Sequence, residues 1–164
     1  MPIWVRISAT EWMEDSGEPS WDVEQSIELA KLLPGLDVDV LDVSSGGNHP
    51  KQQIKVHTYY QTDLANQIHQ AVEDAGLTLG IAAVGRITEA KMARSLVQGT
   101  RDSSEETVVV EDKGGKVAKV DLVLAARQFL RDPRWVLQIA QELGVAVKWP
   151  NQYAAVQPKP KNGL

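Results

Sequence analysis

Short β-branched runs and longer amphipathic stretches alternate along the chain. The short runs are bounded by turn residues and predict buried strands at 3–7, 38–43, 81–84 and 120–124. Between them, apolar residues recur every three or four positions, which is the spacing of one helix face. Four helices are therefore predicted, around residues 23–33, 64–72, 92–97 and 136–143.

Capping residues mark the ends of these predicted helices. Side chains able to accept hydrogen bonds from free backbone N–H groups stand near the four predicted starts: Asp22, Thr62, Thr88 and Asp132. Glycine follows the second and the last helix, at Gly76 and Gly144, as is common at helix carboxyl ends.

The alternation is close to periodic, because the strand starts are 35, 43 and 39 residues apart. Repeated strand–helix units with right-handed crossovers predict an α/β fold with a parallel sheet. Two architectures match this pattern: a (βα)4 half of a TIM barrel and a flavodoxin-like three-layer sandwich. A complete barrel needs at least about 200 residues, so a chain of 164 is too short to form one.

Two segments depart from the repeat. Residues 99–119 are predicted to form an inserted β-hairpin that turns at Gly114-Gly115. Residues 154–164 contain two prolines and two lysines and are predicted to be a flexible tail. We therefore expect one domain over residues 1–153, a half-barrel βα domain that includes the hairpin.

Composition narrows the functional classes. The chain has 17 Lys+Arg against 22 Asp+Glu, a net charge of −5, and no cysteine. A disulfide scaffold and a cysteine nucleophile are excluded, and the acidic balance disfavours a nucleic-acid partner. The sequence has neither a run of about 18 apolar residues nor a signal-peptide core, so we expect a soluble cytoplasmic protein without a membrane partner.

Candidate ligand-binding residues lie where the predicted strands end, the edge at which parallel α/β folds bind ligands. Arg6 stands inside the first apolar strand, where an unpaired cation would be costly. It either faces an anionic or electron-rich ligand or forms an internal salt bridge with Asp42 or Glu11, and the sequence does not decide between these.

The other three strand ends carry small residues or arginine. Ser45 and Gly46 follow the second strand in a polar turn that is also typical of any sharp loop. Gly85-Arg86 and Ala126-Arg127 follow the third and fourth strands, and each pair comes shortly before a predicted helix. Two such turns side by side resemble the phosphate-binding corner of barrel enzymes, although two solvated surface arginines would give the same pattern.

The three histidines are too scattered for a metal-ligand pattern, and we expect no metal site. His49 and His57 fall in the long segment after the second strand, where either could act as an acid or base or simply be exposed. His69 lies within a predicted helix and is expected to be solvated. No Ser-His-Asp arrangement, P-loop or GxGxxG motif is present.

Taken together, the strand-end segments resemble the Old Yellow Enzyme family of FMN-dependent ene-reductases, most closely its fungal NADH:flavin oxidoreductase branch. The matching segments are WVRISATEW (4–12), LDVSSGGN (41–48), AVGRI (83–87), LAARQFLRDP (124–133) and KWPNQY (148–153). The resemblance covers residues 2–153 and implies strands five to eight of that family's barrel, which favours the half-barrel over the flavodoxin-like sandwich.

The resemblance also implies cofactors and site residues. Arg6 matches the arginine that contacts the flavin ring, and Gly85, Arg86, Ala126 and Arg127 match the turns that hold the FMN phosphate. Ser45 and Gly46 line the same side, and Ala126 stands where many members have glycine. The implied activity is NAD(P)H-dependent reduction of activated alkenes, with a small-molecule substrate.

Catalytic residues remain unknown from the sequence. By resemblance, the family's substrate-binding His/His or His/Asn pair and its proton-donating tyrosine belong to the other half of the barrel. HTYYQ (57–61) also replaces a family stretch similar to GPGYQ, which leaves His49, His57 and Tyr60 as weak candidates. They would serve a flavin-independent isomerase or cyclase, and a non-catalytic half-barrel is the further alternative.

A half-barrel would leave two strand edges and an apolar inner face open, which a single copy tolerates poorly. We therefore expect a homodimer or a complementary half-barrel partner.

Overall fold

A computed structural model describes residues 1–98 and 120–156 of the chain, the last three without their side chains. The predicted hairpin at 99–119 and residues 157–164 of the predicted tail lie outside these described residues. The first three residues of that tail belong to a 3-10 helix, Asn151–Val156.

Four parallel strands form one sheet, and their positions confirm the strand predictions. They are β1 (Trp4–Ser8), β2 (Val40–Ser44), β3 (Gly80–Val84) and β4 (Leu122–Leu124). The strands lie side by side in chain order, β1-β2-β3-β4. A flavodoxin-like sheet would have its first strand between the second and third. The observed order therefore favours a partial TIM barrel over the flavodoxin-like sandwich.

Helices follow the strands as predicted. They are α1 (Val23–Leu32), α2 (Thr62–Asp74), α3 (Ala90–Gln98), α4 (Arg127–Arg131) and α5 (Trp135–Glu142). Two further 3-10 helices cover Glu14–Ser16 and Leu33–Leu36. The periodicity did not predict α4, because five residues are too few to show a repeating face. No helix of the described part of the chain is long and apolar enough to cross a membrane.

The predicted caps are correct at α1 and wrong at α2. The Asp22 carboxylate accepts a hydrogen bond from the Gln25 backbone N–H, and Gln25 reciprocates in a capping box. Thr62 is instead the first residue of α2, and its hydroxyl donates to the carbonyl of Tyr59. Gly76 and Gly144 both adopt the left-handed φ of +67° that ends a helix.

The two faces of the sheet differ. One face packs on the helices: Leu41, Val43, Ile81 and Ala83 join Ile68 of α2 in the main core cluster. The alternate residues form the opposite face, called the inner face below: Trp4, Arg6, Ser8, Val40, Asp42, Ser44, Gly80, Ala82, Val84, Leu122 and Leu124. Trp4 is half exposed on it and Leu122 is 36% exposed, so the inner face is open towards β1 and β4.

Candidate functional site

The register of the sheet brings the predicted site residues to one edge. Ser8 is paired with Ser44, and Val84 with Leu124, so the turns that follow these residues are neighbours. Adjacent strands are spaced by about 4.8 Å, so the edge from β1 to β4 extends over roughly 14 Å. An elongated ligand lying along this edge would meet all four turns.

Arg6 and Asp42 form an ion pair on the inner face. They are opposite each other in the β1–β2 register, and Asp42 Oδ2 lies 2.6 Å from both Nε and Nη2 of Arg6. Glu11, the other partner suggested by the sequence, accepts a hydrogen bond from the Trp21 backbone instead. The internal salt bridge is thus present, yet 58% of the Arg6 side chain is exposed, so its guanidinium is also accessible to a ligand.

The Asp42 carboxylate is buried at the base of this pair. Its second oxygen, Oδ1, has no hydrogen-bond partner among the described residues. A buried acceptor without a partner costs about 1–3 kcal/mol. The unpaired Asp42 oxygen therefore lowers the stability of the fold.

The turn after β2 is fixed by hydrogen bonds from β1. The Ser8 hydroxyl accepts from the Gly46 N–H at 3.0 Å and donates to the carbonyl of Thr10. Gly46 has φ +68°, and a Cβ there would lie 2.8 Å from Ile54 Cδ1. The hydroxyl of Ser45 is buried and has no partner among the described residues.

The turn after β3 requires glycine. Gly85 has φ +116°, and a Cβ there would lie 2.3 Å from Oε1 of the buried Gln61. Arg86 follows in the left-handed region at φ +55°, which is uncommon for a residue with a side chain. The sequence had not pointed to Gln61, whose amide packs against Gly85 and ties the start of α2 to this turn.

The two turns of the predicted phosphate corner follow neighbouring strands. Val84 is paired with Leu124 at the end of the β3–β4 register, and Gly85-Arg86 and Ala126-Arg127 come directly or shortly after these residues. All three of Arg86, Ala126 and Arg127 are exposed. The joint role of Arg86 and Arg127 therefore stays a prediction.

Two of the three weak catalytic candidates lie together. The ring of Tyr60 is 6.4 Å from that of His57 and 6.3 Å from that of Trp12. His57 Nε2 also lies 3.9 Å from a carboxylate oxygen of Asp63. His49 is exposed and accepts a hydrogen bond from the Lys51 backbone within a local turn.

Tyr59, the neighbour of Tyr60, keeps its proton more firmly than a free tyrosine. Burial raises the pKa of its phenol, and the carboxylates of Glu89 and Asp63 raise that pKa further. The side chain is therefore a neutral hydrogen-bond donor across the physiological pH range.

His69 is buried, so the expectation of a solvated side chain is wrong. Its Nδ1 lies 3.4 Å from Glu73, and its Nε2 lies 3.4 Å from the carboxylate of Asp121. That same oxygen of Asp121 accepts from the N–H of Ile81 at 2.8 Å. The histidine thus links α2 to the amino ends of β3 and β4, opposite to the edge that carries the candidate site.

Comparison with known proteins finds relatives that are named as flavin or NADPH oxidoreductases. It is 40% identical over 159 residues to a Gibberella zeae protein named NADH:flavin oxidoreductase. It is 34% and 31% identical over 152 residues to proteins named NADPH dehydrogenase from Halalkalibacterium halodurans and Bacillus subtilis. Over these residues the chain resembles members of the Old Yellow Enzyme family. No family model matches it.

The relationship to the Old Yellow Enzyme family covers part of its members' length. The matches include 92–93% of this chain but only 33% of the Gibberella zeae protein and 37% of each of the other two. The chain therefore spans about a third of the length of these relatives. Both the resemblance stated from the sequence and the half-barrel fold are confirmed, whereas the individual site residues stay predictions.

The residues present fit the FMN that the Old Yellow Enzyme family implies. An accessible guanidinium stands on the inner face, and two arginine-bearing turns adjoin at the strand ends. Two buried polar atoms without partners among the described residues, Asp42 Oδ1 and Ser45 Oγ, lie on β2 and in the turn after it. A polar ligand at this edge would bring hydrogen-bonding groups to a region that lacks them.

Proposed function

We propose that this chain is the FMN-binding part of an Old Yellow Enzyme-like oxidoreductase that reduces activated alkenes with NAD(P)H. One observation carries the proposal: the turns with Ser45-Gly46, Gly85-Arg86 and Ala126-Arg127 follow the carboxyl ends of neighbouring strands, and Arg6 lies on the inner face two residues before the end of β1. The relatives' names support oxidoreductase chemistry with flavin and nicotinamide cofactors.

Each residue has a separate task in this proposal. Arg6 would place a fixed positive charge beside the flavin ring, where it stabilises an electron-rich ring. Arg86 and Arg127 would bind the phosphate from two sides, because guanidinium groups match the geometry of phosphate oxygens. The FMN itself supplies hydride transfer when bound.

His57 and Tyr60 are the proposed contributors from the loop that precedes α2. The Tyr60 ring is near both the His57 ring and that of Trp12, which follows β1. A Cβ on Gly46 would lie 3.2 Å from Trp12 Cδ1, so this aromatic cluster adjoins the turn after β2. The cluster would contact the substrate and exclude water from it.

A second polypeptide surface would complete the site. Within the described residues, β1 and β4 each pair with one neighbour only, and Trp4 is half exposed on the inner face. Further parallel strands added at these edges would cover the inner face, and a second copy of the chain is the partner we propose. Light scattering after gel filtration should give the mass of a dimer, and a monodisperse monomer would contradict this part of the proposal.

An FMN titration of the purified chain tests the main proposal. We expect FMN to co-elute with the protein in gel filtration, with its visible absorbance band retained. Arg127→Ala should weaken FMN binding about tenfold or more, because a charge-assisted hydrogen bond contributes about 1.5–3 kcal/mol. Arg131→Ala, at the other end of α4, is the matched control and should bind like the wild type. A colourless protein that takes up no added FMN would refute the proposal.

A further inference from the structure

We propose that Asp42 is the positioning residue for the flavin-facing arginine, and that its carboxylate sets how strongly Arg6 favours a reduced, electron-rich ligand. This inference rests on the proposed function, since it concerns how the same site would hold FMN. It adds a residue that neither the sequence nor the names of the relatives assign to the site.

The geometry of the pair fixes the direction of the guanidinium. Both Nε and Nη2 of Arg6 bind one oxygen of Asp42 at 2.6 Å, so the planar group is held along one of its edges. A guanidinium has five N–H donors, and at least three remain after these two contacts. Because 58% of the Arg6 side chain is exposed, these donors are accessible from the inner face.

A purely structural role explains the aspartate poorly. Its inner-face neighbours on β2 and β3 are the aliphatic Val40, Ala82 and Gly80 and the small Ser44, so no other cation of the sheet faces it. Its Oδ1 is buried without a partner among the described residues. A small apolar residue at position 42 would avoid this desolvation, and Arg6, whose side chain is 58% exposed, would then be solvated by water.

The carboxylate also lowers the effect of the arginine's charge. Arg6 and Asp42 form a pair of zero net charge, so a ligand beside the guanidinium meets a dipole with its positive end outward. Removing the negative charge while keeping the hydrogen bond would strengthen the positive potential at the ligand. A ligand that gains electron density on reduction would then bind more tightly in its reduced form.

Two substitutions separate position from charge. Asp42→Asn keeps an oxygen that can accept from Arg6 but removes the charge, whereas Asp42→Ala removes both. Asp39→Asn is the matched control, since Asp39 stands just before β2 and its carboxylate accepts from the Ile3 backbone at the amino edge. Circular dichroism and urea unfolding verify that each variant is folded. We expect the Asp42 variants to fold, because Arg6 is half exposed and can be solvated without its partner.

FMN is the probe, and its affinity and midpoint potential are the measurements. For Asp42→Asn we expect reduced FMN to gain about tenfold in binding relative to oxidised FMN, an upward shift in midpoint potential of about 30 mV for a two-electron couple. For Asp42→Ala we expect oxidised FMN to bind at least tenfold more weakly, because Arg6 is no longer oriented. Asp39→Asn should leave both quantities at the wild-type values.

The outcomes distinguish this inference from the proposed function. If the wild type binds FMN while Asp42→Asn keeps the wild-type potential, or Asp42→Ala keeps the wild-type affinity, the role of Asp42 is wrong and the proposed function stands. If the wild type binds no FMN, the proposed function falls and the role of Asp42 falls with it. A lower potential in Asp42→Asn would also overturn the inference, since the sign would be opposite to that expected for removing a negative charge.

Discussion

The substitution Gly85→Ala should destabilise the fold, because the turn after β3 excludes a side chain for two independent reasons. At φ +116° an alanine is strained, which costs about 1–3 kcal/mol. Its Cβ would also lie 2.3 Å from Oε1 and 3.0 Å from Cδ of Gln61. Gln61 is 6% exposed, so its amide would have to shift within a packed interior, and such overpacking costs about 1–3 kcal/mol. We therefore expect a loss of about 2–6 kcal/mol in the free energy of unfolding.

Urea unfolding followed by circular dichroism measures this loss, and the chain supplies a matched control. Gly144 also has positive φ, +67°, but a Cβ there would meet nothing within 4 Å. Gly144→Ala therefore reports backbone strain alone, about 1 kcal/mol. The double variant Gly85→Ala/Gln61→Ala should recover part of the loss, since the clash is removed while the strain remains. Equal destabilisation by the two single glycine substitutions would refute the contact between Gly85 and Gln61 as the cause.

Three further predictions concern the framework of the fold. Asp22→Ala should lower the urea-unfolding free energy by about 1 kcal/mol through loss of the α1 cap, while Asp22→Asn should keep most of it; equal losses would contradict the capping role. The raised pKa of Tyr59 stabilises the folded state below a pH of about 10, and this contribution is lost as pH rises through the folded-state pKa. Tyr59→Phe should therefore lose less stability than the wild type between about pH 9 and pH 11. Parallel pH profiles of the two proteins would argue against this effect. His69→Ala should raise the hydrogen-exchange rate of the Ile81 amide more than the rates of α1 amides, because Asp121 loses its contact with the histidine. An equal rise at all these amides would show that the contact between His69 and Asp121 has no local effect on β3.

The parallel sheet and the positions of its strands follow from the sequence pattern, while the strand order and several partners of individual side chains do not. Regular strand–helix spacing restricts the connections enough to predict a parallel sheet, and it placed all four strands within two residues of their observed starts. The choice between Asp42 and Glu11 as partner of Arg6 needed the register, because a one-residue shift would have put Asp42 on the helix-covered face.

Other features were missed because they depend on three-dimensional neighbours. The expectation that His69 is solvated relied on the polar residue beside it, Gln70. His69 shares a helix face with Ala65 and Val72, which are both buried, so its position on the helix was the better indicator of burial. The contact between Gln61 and Gly85 joins residues from different βα units, and no local pattern encodes it. The site residues could be listed from strand ends, but whether Arg86 and Arg127 reach one anion depends on rotamers that a sequence does not specify.

The two ends of this sheet divide their tasks, and this has a consequence for altering the protein. His69, Asp121 and the Asp39 contact with Ile3 all lie at the amino ends of the strands, while the arginine-bearing turns lie at the carboxyl ends. On the proposed function, we expect substitutions at the first end to change thermal stability and substitutions at the second end to change ligand binding, with little interference across the length of a five-residue strand. In a directed-evolution experiment, one library could therefore vary residues at the amino ends of the strands and a second library those at the carboxyl ends. The effects of the substitutions selected from the two libraries should be close to additive.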